Sequence, residues 1–118
     1  MARIGFDGVQ LLIPQGGIAT GDLALTRAAD VSADMAILGA CGLDISFGLS
    51  SDDYDEAQMK RAMCNAANRT LVVTEGEKLG RRARHHTLAL NEIDTIISDA
   101  SENTVSTWHS ISTKLIFV

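Results

Sequence analysis

The chain lacks three features that would assign it to a class at once: a basic excess, a long apolar run and a cysteine motif. Its 118 residues carry a net charge of −5, whereas a protein that holds the phosphate backbone of nucleic acid normally has a basic excess. No apolar run approaches the roughly 20 residues that cross a bilayer, and Met1–Phe6 lacks the apolar core of a secretory signal. We therefore expect a cytoplasmic protein that binds no membrane and, by itself, no nucleic acid.

The two cysteines, Cys41 and Cys64, have neither the spacing of a redox or zinc motif nor the density of a disulfide scaffold. The histidines show no metal-ligand spacing with them, so we expect no metal and no cofactor. The chain also lacks low-complexity tracts, internal repeats and linkers. With 46% hydrophobic residues, it is expected to form a single domain over residues 1–118.

Continuous apolar runs alternate with amphipathic stretches along the chain. Met35–Leu38 and Leu71–Val73 are runs of the kind that parallel sheets bury on both faces. Asp22–Val31 and Asp53–Asn68 have helical spacing, and the second begins with a possible capping box. This alternation predicts an α/β fold with a layered, mostly parallel sheet and flanking helices. Further strands are expected at Val9–Ile13, Thr87–Leu90, Asp94–Ser98 and Lys114–Val118, and a further helix at Glu102–Ser112.

The candidate site combines glycines after one strand with a lysine after the next. Leu38–Gly48 begins as a strand end and continues into a glycine-rich turn, and Lys78 lies just beyond the strand Thr70–Thr74. In an open α/β sheet, ligands bind where the carboxyl ends of the strands meet, because unpaired N–H groups converge there. The candidate ligand-binding residues are Gly16, Gly17, Gly39, Gly42, Asp44, Gly48, Lys60 and Lys78.

These segments, in this order, resemble the effector domain of the DeoR-type transcription regulators. In that family a glycine pair follows an early strand, and a later strand ends in a Leu-Gly-x-x-Gly-x-Asp pattern. A helix then carries an acidic residue and a Lys-Arg pair, the next strand runs into Ala-Asp-Ser-Ser-Lys-Phe-Gly, and an Ile-Asp-x-Ile-Ile-Thr-Asp-like segment follows. The matching segments here are Gly16-Gly17, Leu38–Gly48, Glu56 with Lys60-Arg61, Thr74–Gly80 and Ile93–Asp99.

The resemblance implies a ribose-phosphate isomerase/CoA-transferase-like fold and a sensor that binds a phosphorylated sugar rather than a catalyst. The family's helix-turn-helix and its first Asp-x-Gly-Thr/Ser-Thr phosphate loop have no match in the chain, so a partial effector domain is expected. The apolar surface left by that missing strand predicts a homo-oligomer. Glu77 stands where the family has a serine beside Lys78, and a carboxylate there repels a phosphate by about 1 kcal/mol at 4 Å in water.

Each candidate also has a plainer interpretation. The glycines can serve only to permit positive φ in a tight loop. Glu56 and Lys60, spaced i, i+4, can form an exposed helix pair worth roughly 0.2–0.5 kcal/mol. The basic run Arg81–His86 can attract anions or nucleic acid, but six residues interrupted by alanine on an acidic protein more often form a solvated loop.

Two further functions stay open beside the sensor. The first is an oligomerisation module that has lost its ligand. The second is an enzyme like ribose-5-phosphate isomerase, which needs carboxylates placed to move protons on the bound sugar. Asp44 is the one carboxylate in the glycine-rich turn, so binding without catalysis is the favoured interpretation.

Overall fold

The computed structural model describes residues 2–6, 9–13, 29–101, 104, 107, 108 and 113–118. Two short 3₁₀ turns, Gly76–Lys78 and Leu90–Glu92, connect strands in the second half of the chain. The remaining elements are, in chain order, β1 (Ala2–Phe6), β2 (Val9–Ile13), β3 (Ala33–Leu38), β4 (Gly42–Asp44), β5 (Gly48–Ser51), α1 (Tyr54–Ala66), β6 (Ala67–Thr74), β7 (His85–Leu88), β8 (Thr95–Ser98) and β9 (Lys114–Phe117).

A four-stranded parallel sheet, in the order β3-β6-β8-β9, forms the centre of the fold. Its register pairs Leu38 with Val72 and Val72 with Ile96, and all three side chains are buried in one core. α1 contributes Met59 and Met63 to the same core, and both are fully buried. The predicted α/β fold with a mostly parallel sheet is therefore confirmed.

The opposite face of this sheet differs from the sequence prediction. Ile37 and Val73, in the runs expected to be buried on both faces, are 49% and 46% exposed. The expectation is wrong for these two positions because α1 covers the face that carries Leu38 and Val72, while Ile37 and Val73 point the other way. An apolar run of this kind also predicts two central strands at Met35–Leu38 and Leu71–Val73. This is wrong for β3, which is an edge of the described sheet and pairs there with β6 alone.

α1 begins where the sequence indicates. The carboxylate of Asp53 accepts a hydrogen bond from the backbone N–H of Glu56 at 3.2 Å, which satisfies one of the free donors of the first turn. The helix ends at Ala66, two residues before the predicted Asn68, and β6 begins directly at Ala67. α1 is the crossover that carries the chain back over the sheet, and β6, which follows it directly, pairs with β3 in parallel.

A separate three-stranded antiparallel sheet joins β4, β5 and β7. The interpretation of Gly39–Gly48 as a tight turn leading from a strand straight to a helix is wrong, because β4 and β5 form a hairpin within this stretch. Leu43 and Leu49 pair across the hairpin and are fully buried. Burial of this cross-strand pair favours the extended conformation over a simple turn.

β1 and β2 form an antiparallel pair, of which the sequence predicted only β2. The predicted helices Asp22–Val31 and Glu102–Ser112 fall largely outside the described residues, and Gly16-Gly17 falls wholly outside them. Across the described ranges, no helix combines the length and the apolar character needed to span a membrane.

Candidate ligand-binding site

A cavity of about 450 Å³ opens at the edge where the parallel strands end. Because all four strands run the same way, their carboxyl ends meet at this edge and deliver their last residues to one place. Apolar side chains from three strand ends form part of the wall, and polar groups from β6, β8 and the following turn complete it. The lining residues are Gly39, Ala40, Val73, Thr74, Glu75, Lys78, Ile97, Ser98, Asp99 and Val118.

Lys78 reaches this cavity from the 3₁₀ turn that follows β6. The carboxylate of Asp99, at the end of the neighbouring strand, accepts a hydrogen bond from the backbone N–H of Gly76 at 2.6 Å. A Cβ at Gly76 would lie 2.6 Å from the Cα of Ala100, so glycine permits the turn to approach the end of β8. The turn is thus fixed, while the ammonium of Lys78 has no hydrogen bond or ion pair with any described residue.

Ser98 is the second polar group of the cavity that lacks a partner. Its side chain is only 2% exposed, and its Oγ makes no hydrogen bond within the part of the chain that the structure describes. A buried hydroxyl without a partner costs about 1–3 kcal/mol, so native proteins retain few of them. Sequence reasoning missed Ser98; the available signal was a hydroxyl residue that closes an apolar strand, as Thr74 closes β6.

Gly39 lines the cavity, and Lys60 lies behind it. The ammonium of Lys60 donates to the carbonyl of Gly39 at 3.0 Å and pairs with the Glu56 carboxylate at 3.0 Å. The sequence favoured an exposed pair for Glu56 and Lys60, and this is wrong because the Lys60 side chain is only 5% exposed. Lys60 therefore fixes the loop after β3 and has its charge satisfied by the protein, outside the cavity lining.

Gly42 and Gly48 lie in the hairpin, away from the cavity lining. Gly48 has φ +78°, and a Cβ there would lie 2.1 Å from the carbonyl oxygen of Leu88. At Gly42 a Cβ would lie 2.5 Å from the carbonyl oxygen of Arg81. Both glycines permit close contact between backbone segments, and Gly48 alone of the two has the positive φ of the plainer interpretation.

Asp44 closes the hairpin turn. Its carboxylate accepts hydrogen bonds from the backbone N–H of Phe47 at 2.8 Å, and from the hydroxyl and N–H of Ser46 at 2.8 and 3.1 Å. The guanidinium of Arg82 lies 3.3 Å away. The hydrogen bonds from Phe47 and Ser46, followed by the charge of Arg82, lower the pKa of Asp44 below its usual value. The carboxylate is therefore occupied by the hairpin itself.

Glu77 projects beside the cavity rather than into it. Its side chain is exposed and borders a neighbouring depression together with Gly76 and Asp99. Among the described residues, no group of three or more histidine, cysteine, aspartate or glutamate side chains is placed to hold a metal ion.

Comparison with known proteins gives a consistent result. A family model, the DeoR C terminal sensor domain, matches residues 12–100. An Escherichia coli protein assigned as an aga operon transcriptional repressor is 34% identical over 104 residues, covering 83% of this chain and 39% of its own. The Escherichia coli glycerol-3-phosphate regulon repressor is 31% identical over 98 residues, covering 83% of this chain and 38% of its own.

A third relative, the HTH-type transcriptional regulator GlpR of Haloferax volcanii, is 38% identical over 68 residues, which are 58% of this chain and 27% of the relative. The chain thus spans no more than about two fifths of the length of these regulators. The range matched by the family model contains the positions of both Lys78 and Ser98. The chain belongs to the DeoR C terminal sensor domain family.

Proposed function

We propose that this domain is the effector sensor of a DeoR-type transcription regulator and binds a phosphorylated sugar in the cavity at the carboxyl ends of the parallel strands. The observation that carries the proposal is that one cavity is lined by two residues whose polar groups have no partner among the described residues, the half-buried Lys78 and the buried Ser98. A volume of about 450 Å³ lies within the roughly 300–1,000 Å³ range of small-molecule sites.

In this proposal Lys78 is the point charge for the phosphate dianion. Gly39 lies on the cavity wall with nothing within 4 Å of its would-be Cβ, which leaves room for the ligand to approach the backbone. Ser98 then exchanges a hydrogen bond with a sugar hydroxyl, which removes the cost of its missing partner. Val73 and Ile97 supply apolar contact for the carbon face of the sugar.

Binding without turnover is better supported than catalysis. Isomerisation of a sugar phosphate needs a carboxylate free to move protons, yet Asp44 is occupied by the hairpin turn and lies outside the cavity lining. Of the carboxylates that do line the cavity, Asp99 is engaged by the backbone N–H of Gly76. The isomerase alternative would require Glu75 to act alone.

Calorimetric titration with a panel of hexose and pentose phosphates tests the proposal. Glycerol 3-phosphate belongs in the panel, because the name of one relative contains that phosphorylated polyol. We expect saturable binding of at least one compound, loss of binding in Lys78→Ala, and no binding of the sugar without its phosphate. Lys114→Ala is the matched control, because Lys114 is exposed and begins β9 at the opposite edge of the sheet.

The same titration separates the alternatives. A chain that binds none of the panel and self-associates would be an oligomerisation module without a ligand, and turnover of a pentose phosphate would indicate an isomerase-like enzyme. Either result contradicts the sensor proposal.

We further propose that residues 1–118 act as one cytoplasmic domain, that the domain does not itself bind DNA, and that it forms a homo-oligomer. The net charge of −5 supports the second point, since it opposes contact with a polyanion. The exposed apolar residues Ile37, Val73 and Ile116 support the third, because they lie on one face of the parallel sheet and parallel sheets are normally covered on both faces. Sedimentation as a monomer at high micromolar concentration would contradict the homo-oligomer.

A further inference from the structure

A second cavity lies between the amino-terminal half of α1 and the strand β7. Its volume is about 390 Å³, and its lining shares no residue with that of the cavity that contains Lys78. Part of its wall comes from the basic run Arg81–His86, whose role the sensor proposal leaves unexplained. The polar lining residues that matter for its chemistry are Tyr54, Gln58, Arg61, Arg84, His85 and His86.

The electrostatic character of this second cavity is opposite to that of the whole chain. The chain has a net charge of −5, yet the described lining contains two guanidinium groups and two imidazoles and no carboxylate. Arg61 forms an ion pair with Glu92, which holds its guanidinium beside that carboxylate. Arg84 makes no hydrogen bond or ion pair with any residue that the structure describes. Arg84 is exposed, so a cationic hollow with one arginine that has no protein partner is open to an anionic occupant.

The two histidines are held in place by neighbouring groups. Nδ1 of His86 donates to the carbonyl oxygen of Phe47 at 2.8 Å, since a carbonyl can only accept. Nε2 of the neutral ring is then an acceptor, without a partner among the described residues. The ring of His85 packs edge-on against Tyr54, with 5.6 Å between the ring centres. The wall therefore contains two ordered imidazole rings, which lowers the entropy cost of binding a small ligand.

We propose that this second cavity binds the phosphate group of a small phosphorylated metabolite, with Arg84 as its bidentate anchor and Arg61 as a second donor. The planar guanidinium matches two phosphate oxygens, which an ammonium does not. A concave site of this size suits a small molecule, whereas the negative charge of the chain opposes a nucleic acid. The site is independent of the cavity that contains Lys78.

Titration of the full chain with inorganic phosphate, with ionic strength held constant by chloride, tests the site through the NMR signals of the His85 and His86 imidazoles. We expect saturable shifts of these signals in wild type, and the same shifts in Lys78→Ala, which disables the first cavity alone. Arg84→Gln is expected to weaken the binding about tenfold, because it removes charge-assisted hydrogen bonds. The phosphate affinity of Arg84→Lys should lie between those of wild type and Arg84→Gln, since lysine retains the charge without the planar fork of a guanidinium.

Arg81→Gln is the matched control. Arg81 is exposed and belongs to the same basic run, but it does not line the second cavity. Its replacement by glutamine removes the same charge as Arg84→Gln. The variant should bind phosphate like wild type. Equal weakening by Arg81→Gln and Arg84→Gln, or the absence of saturable shifts in wild type, would overturn the proposal. So would shifts produced by a short DNA duplex but not by phosphate, because the basic run would then be a nonspecific polyanion surface.

Discussion

Two regions of the molecule contain glycines or polar residues that follow an apolar strand. They are the hairpin β4–β5 and the cavity at the carboxyl ends of the parallel strands. In the hairpin, the protein itself engages each such residue: Asp44 accepts three hydrogen bonds, and Gly42 and Gly48 lie against neighbouring backbone. In the cavity, Lys78 and Ser98 find no side-chain partner among the described residues. The same sequence signal thus leads to two different outcomes.

This difference separates structural residues from ligand-binding candidates by a physical criterion. A residue whose polar group or close contact is satisfied within the fold has its role explained by stability. A residue whose group is fixed, buried and unsatisfied requires a further partner. By this criterion Ser98 is the strongest ligand-binding candidate. Lys78, which is half-buried, and Gly39, which is exposed, are candidates because they line the same cavity, whereas Gly42, Asp44, Gly48 and Lys60 maintain the surrounding structure.

The largest effect is expected for Gly48→Ala in the hairpin. The new Cβ would meet the carbonyl oxygen of Leu88 at 2.1 Å, and the positive φ adds its own strain. We expect the free energy of unfolding to fall by about 3 kcal/mol or more in a urea titration. Gly80→Ala isolates the conformational part, because Gly80 has φ +86° with open space around it, and it should cost about 1 kcal/mol. Equal losses in the two variants would contradict the close-contact role of Gly48.

Exchange of an aspartate in the hairpin should have an intermediate effect. Asp44→Asn removes the charge that accepts the bonds from Phe47 and Ser46, which should lower the free energy of unfolding at neutral pH by about 1–2 kcal/mol. The pKa of Asp44 is lower in the folded protein than usual, so its stabilisation is present above the ordinary value of about 3.9 and is lost as pH falls through the folded pKa.

Urea titrations from neutral pH down to about pH 3 measure this loss. The slope of the free energy of unfolding against pH should be shallower in Asp44→Asn than in wild type. It should be unchanged in the control Asp52→Asn, which alters an exposed carboxylate. Some slope should remain, since hydrogen bonds from Ala89 and Arg61 outweigh the effect of burial and lower the pKa of Glu92 as well. Identical slopes in wild type and Asp44→Asn would show that the charge of Asp44 does not contribute to the free energy of unfolding.

Gly39→Ala should leave stability unchanged and affect binding. A Cβ at Gly39 meets nothing within 4 Å, so the free energy of unfolding should change by less than about 0.5 kcal/mol. The methyl group would instead enter the cavity and weaken the binding of the phosphorylated sugar severalfold by calorimetry. Gly42→Ala should give the converse result, with stability lost and with affinity retained in the folded fraction. Reversed behaviour of the pair would contradict the assignment of the two glycines.

The smallest effect is expected for Glu77→Ser. The sequence alone indicates a gain in phosphate affinity, because the substitution removes a negative charge beside Lys78 that would repel the phosphate. Since Glu77 is exposed and borders the neighbouring depression, water and salt screen that charge, and we expect the gain to stay within about threefold. A tenfold gain by calorimetry would mean that Glu77 faces the bound phosphate.

Most of the parallel sheet and α1 could be predicted from the sequence, because β3 and β6 contain continuous apolar runs and Asp53 caps the helix. The hairpin could not. Ser50 and Ser51 are fully buried although they are polar, and β5 pairs with β7 more than 30 residues away. Such burial depends on tertiary contacts that no local pattern encodes.

The site divides in the same way. The position of Lys78 beyond a strand end follows from strand order, so the sequence predicts it. The burial of Lys60 does not follow, because an i, i+4 pair has the same spacing whether it is exposed or packed under a loop. The missing partner of Ser98 is a property of the folded surroundings, and only the structure reveals it.

The contrast between cavity and hairpin is tested most directly by backbone amide NMR during titration with the phosphorylated sugar that binds in calorimetry. We predict the largest shifts at Gly39, at Gly76–Lys78 and at Ser98-Asp99, with little change between Gly42 and Ser51. Ser98→Ala should reduce affinity about tenfold while the same amides still respond. Shifts concentrated in the hairpin, or unchanged affinity in Ser98→Ala, would contradict the assignment of the cavity as the sensor site.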